Sequence, residues 1–167
     1  DLTVIVKSGA ASDPADKFGV ASFTAAMLDE GAGTRDALTL ADAIDGLGAS
    51  LTTSSGFDAS SVRLHSLASK FDTALPLVAD VVRRPTFPQA DFERLRAERL
   101  TSLLQAHDNA QQLAANAFAR ILFGTQHRYG TATMGTEKTN RAMTLADLKQ
   151  FYAAHYRPQN AHLLVVG

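Results

Sequence analysis

The sequence contains no cysteine and no tryptophan among its 167 residues. The lack of cysteine excludes disulfide bonds, a thiolate nucleophile and every zinc or iron–sulfur site that needs thiolate ligands. Neither sign of charge dominates, because 16 lysines and arginines stand against 17 aspartates and glutamates and leave a formal charge of −1. This balance provides no overall attraction to polyanions, so we expect no nucleic-acid partner. No apolar run is long enough to span a bilayer, and we expect no membrane insertion.

The composition is otherwise that of a globular chain, with 46% hydrophobic and 20% charged residues. It predicts a single domain over residues 1–167. The chain starts within the apolar run Leu2–Val6 and stops within another at 163–166. These ends indicate a segment of a longer protein. Any targeting signal would then lie outside the segment, and the compartment stays undetermined.

Local patterns predict both strands and helices. Alternating or β-branched runs predict strands at Leu2–Val6, Ser50–Ser55, 61–68 and 163–166, the middle two forming a hairpin. Apolar residues at helical spacing predict helices that begin near Gly19, Thr39, Ala74, Pro88, Gln111 and Thr144. Thr39 is expected to cap the second of these helices, and Pro76 to fall in the first turn of the third.

The strands and helices come in blocks, in the order β-α-α-β-β-α-α-α-α-β, and do not alternate as successive βαβ units would. This order favours an α+β domain with a largely antiparallel sheet packed by helices.

A search for catalytic or binding chemistry finds little. No two histidines stand three or four residues apart, the spacing that places two zinc ligands on one helix face. The isolated histidines are interpreted as structural or surface residues; they are His65, His107, His127, His155 and His162. The chain also lacks the G-x-S-x-G turn of serine hydrolases and the glycine-rich loops that bind phosphate. Glu93 and Glu98 are interleaved with Arg94, Arg96 and Arg99, which predicts a solvated helix face.

Several landmarks nevertheless occur in a recognisable order. They are 19–28, Gly33-Thr34, 44–48, Pro85-x-Phe87, 127–130, Gly135-Thr136 and the run from Phe151 through Tyr156 and Pro158 to Asn160. The chain resembles the N-terminal-type domain of the pitrilysin/insulinase zinc-peptidase family, in the branch of mitochondrial processing peptidase, and lacks only its first strand. The resemblance implies a metalloprotease-like two-layer domain of processing-peptidase/LuxS type.

Active members of that family carry an inverted zinc motif, H-x-x-E-H, on the first helix. Its two histidines hold the metal and its glutamate activates the bound water. The resemblance places these three groups at Ser22, Ala25 and Ala26, and the third ligand, a glutamate in the family, at Ser102. Zinc ligands and catalytic base are therefore absent, and we expect no catalytic and no metal-binding residue in this domain.

The resemblance also implies a role. Family members are built from duplicated halves or paired subunits, of which one keeps the zinc motif and the other has lost it. We therefore expect a non-catalytic domain, inactive by itself, that supports a zinc metalloendopeptidase by closing its chamber and binding an extended peptide substrate. Zinc is expected on the active homologous half, in the same chain or on a partner subunit.

Alternatives to this role remain open. One is a structural subunit without any proteolytic role, as in the core proteins of the respiratory cytochrome complex. Another is a zinc lyase of quorum-signal metabolism, which shares the fold type but also needs metal ligands. The small residues of the first helix, with Asp29, form a face that either packs closely against another element or fills a gap in the core.

Overall fold

A four-stranded antiparallel sheet forms one layer of the domain. The computed structural model describes residues 1–124 and 127–167. Its strands are β1 (Leu2–Val6), β2 (Gly31–Ala32), β3 (Arg35–Asp36), β4 (Ser50–Ser55), β5 (Ser60–His65) and β6 (Ala161–Val165). The order across the sheet is β4-β5-β1-β6, and β2 and β3 form a separate two-stranded ribbon. Val4 of β1 pairs with Val62 on one side and Leu163 on the other. The predicted α+β class is confirmed.

Helices supply the second layer. They are α1 (Val20–Ala26), α2 (Ala37–Asp45), α3 (Phe71–Arg83), α4 (Gln89–Ala106), α5 (Ala110–Phe123), α6 (Glu137–Ala142) and α7 (Leu145–His155). None of the helices in the described part of the chain is long and apolar enough to cross a bilayer.

The core lies between the sheet and the helices and contains buried residues from α1, α2, α3, α4 and α7. Strand β5 alternates as predicted, with Val62 and Leu64 buried and Arg63 exposed. Phe23 of α1 is fully buried, and its ring stacks on that of Phe92 from α4 with the centroids 5.0 Å apart. This aromatic pair fixes the distance between the two helices that carry the candidate site.

Several helix boundaries differ from the prediction. Helix α1 ends at Ala26, although Met27 and Leu28 are fully buried. The N–H of Met27 still bonds to the carbonyl oxygen of Phe23 and that of Leu28 to Ala25, so tertiary packing continues the apolar pattern through the cap of the helix. The cap of α2 is Asp36, whose carboxylate accepts from the backbone N–H of Thr39 at 2.8 Å, so the prediction of Thr39 as the cap was wrong. Shifting a cap by one turn keeps the same buried stripe on the helix.

The later helices show further differences. Helix α3 begins at Phe71, so Pro76 lies in the second turn and removes one helical hydrogen bond. Helix α6 was not predicted as a separate element, whereas the predicted capping pair Thr144 and Asp147 forms a complete capping box at α7. Strand β5 ends at His65, three residues before the predicted end.

Two elements leave apolar side chains in solvent. Helix α5 has no buried residue, and its Phe118 and Ile121 are 66% and 85% exposed. Strand β6 lies at the edge of the sheet, and its Leu163, Leu164 and Val165 are exposed. Exposed apolar residues grouped on one element are typical of a contact surface.

Candidate functional site

The start of helix α1 is held by a buried carboxylate. Asp13 accepts hydrogen bonds from the backbone N–H groups of Gly19 at 2.7 Å and Ala21 at 3.0 Å. Burial raises the pKa of Asp13 to about 6, and the two N–H groups together with Arg128 and Arg99 oppose that rise. Gly19 precedes the helix with a φ of 97°, a left-handed conformation that favours glycine.

Arg99 of helix α4 forms the centre of the site. Its side chain is buried, and its Nε donates to Oδ1 of Asn140 at 2.8 Å. Its Nη2 lies 2.9 Å from Oγ of Ser22, 2.9 Å from the carbonyl oxygen of Met134 and 3.3 Å from that of Gly19. These acceptors come from α1, α6 and the loop before α6, so one guanidinium links three parts of the chain.

The charge of Arg99 is compensated without a paired carboxylate in direct contact. The guanidinium carbon lies 4.7 Å from the centroid of the Phe23 ring, within cation–π distance. Desolvation lowers the pKa of Arg99 to about 10, and the charge of Asp13 opposes the change. Arg99 therefore remains a buried cation at neutral pH.

The prediction that Arg99 lies on a solvated helix face was wrong, since the residue is only 8% exposed. Arg94 does follow that prediction and binds Glu98 and Glu30 at the surface. The sequence did contain a signal, because Arg99 stands seven residues after the buried Phe92 and so lies on the same face of α4.

The four positions matched to the zinc motif are spread over two helices. Ser22 is half-buried, and its Oγ lies 2.9 Å from the carbonyl oxygen of Thr133 besides its contact with Arg99. Ala25 is buried, and Ala26 is half-buried at the last position of α1. Ser102 is exposed on α4, three residues after Arg99. The structure thus joins Ser22 to α4 through the guanidinium and leaves Ser102 outside this network.

These four residues do not fit a zinc ion. Zinc in proteins takes imidazole, thiolate or carboxylate ligands, and serine and alanine side chains provide none of these groups. The guanidinium beside Ser22 adds a fixed positive charge where a second cation would have to bind. Within residues 1–124 and 127–167, no group of three or more histidines and carboxylates is placed to hold a metal.

Three of the five histidines have a polar partner in the structure. Nδ1 of His65 lies 3.0 Å from the Asp1 carboxylate, and Nδ1 of His155 lies 2.9 Å from Oγ of Ser8. His127 accepts from the backbone N–H of Tyr129. Each of these three therefore has a local structural partner. Asp29 lies beyond the end of α1, so the face of small residues on that helix does not extend to it.

Comparison with known proteins places these features in a family. The sequence profile described as "Insulinase (Peptidase family M16)" matches residues 1–137. An uncharacterized zinc protease of Mycobacterium leprae is 30% identical over 98% of this chain and 37% of its own length. Non-peptidase homolog YmxG of Helicobacter pylori is 24% identical over 96% of this chain and 37% of its own. Subunit 1 of the mitochondrial cytochrome b-c1 complex of Caenorhabditis elegans is 25% identical over 98% of this chain and 35% of its own length.

Solved structures agree with this placement. A crystal structure of a peptidase M16 inactive domain from Pseudomonas fluorescens has a TM-score of 0.91 and 34% identity, covering 97% of this chain and 39% of that one. The crystal structure of pitrilysin has a TM-score of 0.82 and 20% identity, covering 97% of this chain and 18% of that one, and shows the same fold. The chain spans little more than a third of the curated relatives named above. It belongs to the insulinase family of peptidases, family M16.

Proposed function

We propose that this domain is the non-catalytic part of a two-part zinc metalloendopeptidase, where it closes the chamber around an extended peptide and contributes to binding it. The observation that supports this role is that the chain contains no H-x-x-E-H motif, and that the positions matched to the zinc site by resemblance, Ser22, Ala25, Ala26 and Ser102, carry neither imidazole nor carboxylate. Without an imidazole to hold the metal and a carboxylate to activate its water, the domain has no means of metal-assisted hydrolysis. Zinc is then held by an active homologous half, in the same polypeptide or on a partner subunit.

The exposed apolar surfaces support a partner half. Helix α5 presents Phe118, Ile121 and Leu122 to solvent, and strand β6 presents Leu163 and Leu164 at the sheet edge. Burying such residues against another domain removes apolar area from water and stabilises the assembly. We also propose that residues 1–167 are one domain of a longer polypeptide, as the share of its relatives that the chain spans suggests. Peptide binding is taken from the family resemblance alone.

Activity with and without a zinc-bearing half tests this role. We expect the domain alone to cleave no unfolded peptide and to hold no stoichiometric zinc, and we expect activity when it is joined to a homologous half that carries H-x-x-E-H. Changing the glutamate of that motif to glutamine should abolish the activity of the pair. Activity and zinc in the isolated domain would refute the proposal.

Variants on α5 test how the halves associate. Phe118→Ser and Ile121→Ser should weaken association and peptidase activity together, because both remove exposed apolar contact area. Gln112→Ser, on the same helix and also exposed, is the matched control and should change neither. Unchanged association in all three variants would exclude α5 as the contact surface.

A structural subunit is the second candidate function. The similarity to a cytochrome b-c1 subunit and to a protein described as a non-peptidase homolog favours it. Both candidates predict an inactive domain, so the composition of the assembly separates them. Co-purification of a chain bearing H-x-x-E-H supports the peptidase role, whereas a stable assembly that lacks such a chain and has no peptidase activity supports the structural one.

A further inference from the structure

The guanidinium of Arg99 occupies the space between the two helices to which the family resemblance assigns zinc ligands. Its Nη2 is 2.9 Å from Oγ of Ser22 on α1, the position matched to the first ligand. Ser102, matched to the third ligand, follows Arg99 by three residues on α4, and side chains at this spacing leave a helix on the same side. A ligand side chain at position 102 would therefore leave α4 on the side of the guanidinium, although Ser102 itself is exposed.

From these contacts we infer that Arg99 takes over the cross-linking of α1 and α4 and closes the former metal site, so that restoring the ligands alone does not restore zinc binding. The inference rests on the proposed assignment of Ser22, Ala26 and Ser102 to the lost motif. It goes beyond the loss of ligands, because it assigns the closure to a residue outside the motif.

Three features of the structure hold the guanidinium in place and cover Ser22. The guanidinium is fixed by acceptors from separate parts of the chain, among them Asn140 Oδ1 at 2.8 Å and the Met134 carbonyl oxygen at 2.9 Å. It also lies over the Phe23 ring, so it cannot swing away without losing these contacts together. The carbonyl oxygen of Thr133, 2.9 Å from Ser22 Oγ, covers the same residue from the loop before α6.

Electrostatics adds to this steric closure. A divalent cation within roughly 6 Å of a guanidinium in a partly dehydrated site is strongly repelled, and the repulsion is screened far less than at the surface. The guanidinium keeps its positive charge at neutral pH, where histidines bind zinc, so the repulsion is present there. We expect its removal to raise zinc affinity at least about 100-fold once ligands are in place.

The test uses the full chain with three ligand groups restored, Ser22→His, Ala26→His and Ser102→Glu. Ala25 is left unchanged, because a glutamate there would be buried and is not needed to bind the metal. Zinc affinity is measured by competition with a chromophoric chelator in this triple variant, and again after adding Arg99→Gln. Arg94→Gln, which removes an exposed arginine from the same helix, is the matched control.

We expect no stoichiometric zinc in the triple variant or with Arg94→Gln, and tight binding of one zinc ion with Arg99→Gln. Equal zinc affinity in all three chains would overturn the inference. The absence of zinc binding in all three would also overturn it, and would in addition refute the assignment of the ligand positions. The supporting role of the domain is measured separately, by association and activity with the zinc-bearing half, so either proposal can fail without the other.

A second measurement leaves Arg99 in place in case its removal unfolds the chain. The imidazole pKa of Ser22→His, followed by NMR, should lie at least one unit below that of Ala26→His, because the native side chain at position 22 lies 2.9 Å from the guanidinium. Far-UV circular dichroism checks that each single variant keeps the fold. Equal values, or a higher value at position 22, would overturn the inference.

Discussion

Two glycines with left-handed backbone test whether close packing at the start of α1 holds the arginine network together. Gly19 has a φ of 97° and Gly48 a φ of 62°. A Cβ added to Gly19 would overlap the carbonyl oxygen of Met134 and lie 2.8 Å from its carbonyl carbon. A Cβ added to Gly48 would meet nothing within 4 Å. Substitution by alanine therefore strains the backbone at both positions, and at Gly19 it adds a steric overlap with Met134.

The magnitudes follow from these contacts. Placing alanine in the left-handed region costs about 1 kcal/mol at either position. At Gly19 the Met134 carbonyl must also move, and it accepts from both Arg99 Nη2 and Asn140 Nδ2 at 2.9 Å. Leaving buried donors unpaired costs about 1–3 kcal/mol each, and the lower part of that range applies because both donors keep a second acceptor. We expect Gly19→Ala to lower the free energy of unfolding by about 3–5 kcal/mol and Gly48→Ala by about 1 kcal/mol.

Urea denaturation followed by far-UV circular dichroism measures both changes. The chain has no tryptophan, so helix content is a better signal than fluorescence. In a chain of this size the difference between the two variants corresponds to a melting temperature lower by roughly 5–15 °C in Gly19→Ala. If both substitutions cost the same within about 1 kcal/mol, the close approach of Met134 to Gly19 does not stabilise the site.

Two further changes test the buried groups. Burial raises the pKa of Asp13 from 3.8 to about 6, so between these pH values the folded chain keeps a proton that the unfolded chain has released. The free energy of unfolding of the native chain, minus that of the Asp13→Asn variant, should then fall by up to about 3 kcal/mol as the pH rises from 4 to 6.5. An increase of this difference with pH would contradict the prediction. Phe92→Ala should cost about 3–5 kcal/mol because its ring stacks on Phe23. Phe118→Ala, on the exposed face of α5, should cost less than about 0.5 kcal/mol in the same urea titration, and similar costs for both would refute the placement of the core.

Patterns that depend on neighbouring residues were predicted well. The alternation of Val62 and Leu64 with Arg63 gives β5 one buried face, and the structure confirms it. Thr144 and Asp147 stand three residues apart and form the expected capping box. In both cases the groups that interact are close in sequence, so spacing alone carries the information.

Boundaries were predicted less well where packing competes with local preference. Met27 and Leu28 continue the apolar spacing of α1 but lie outside the helix and are still fully buried. Hydrophobic spacing reports burial, and burial continues where the chain leaves the helix. Helix α6, with one buried residue, Asn140, has almost no apolar pattern that could have revealed it.

The sequence by itself determined the α+β class, the family and the absence of an H-x-x-E-H motif, because residue identities at fixed spacings carry all three. Only the tertiary structure decided that a buried guanidinium lies beside Ser22. Arg99 meets partners 41 and 77 residues away, at Asn140 and Ser22, and no local pattern records such contacts. A charged residue is stable in a core only when the fold brings acceptors to it from distant segments, and that condition is set by the folded chain as a whole.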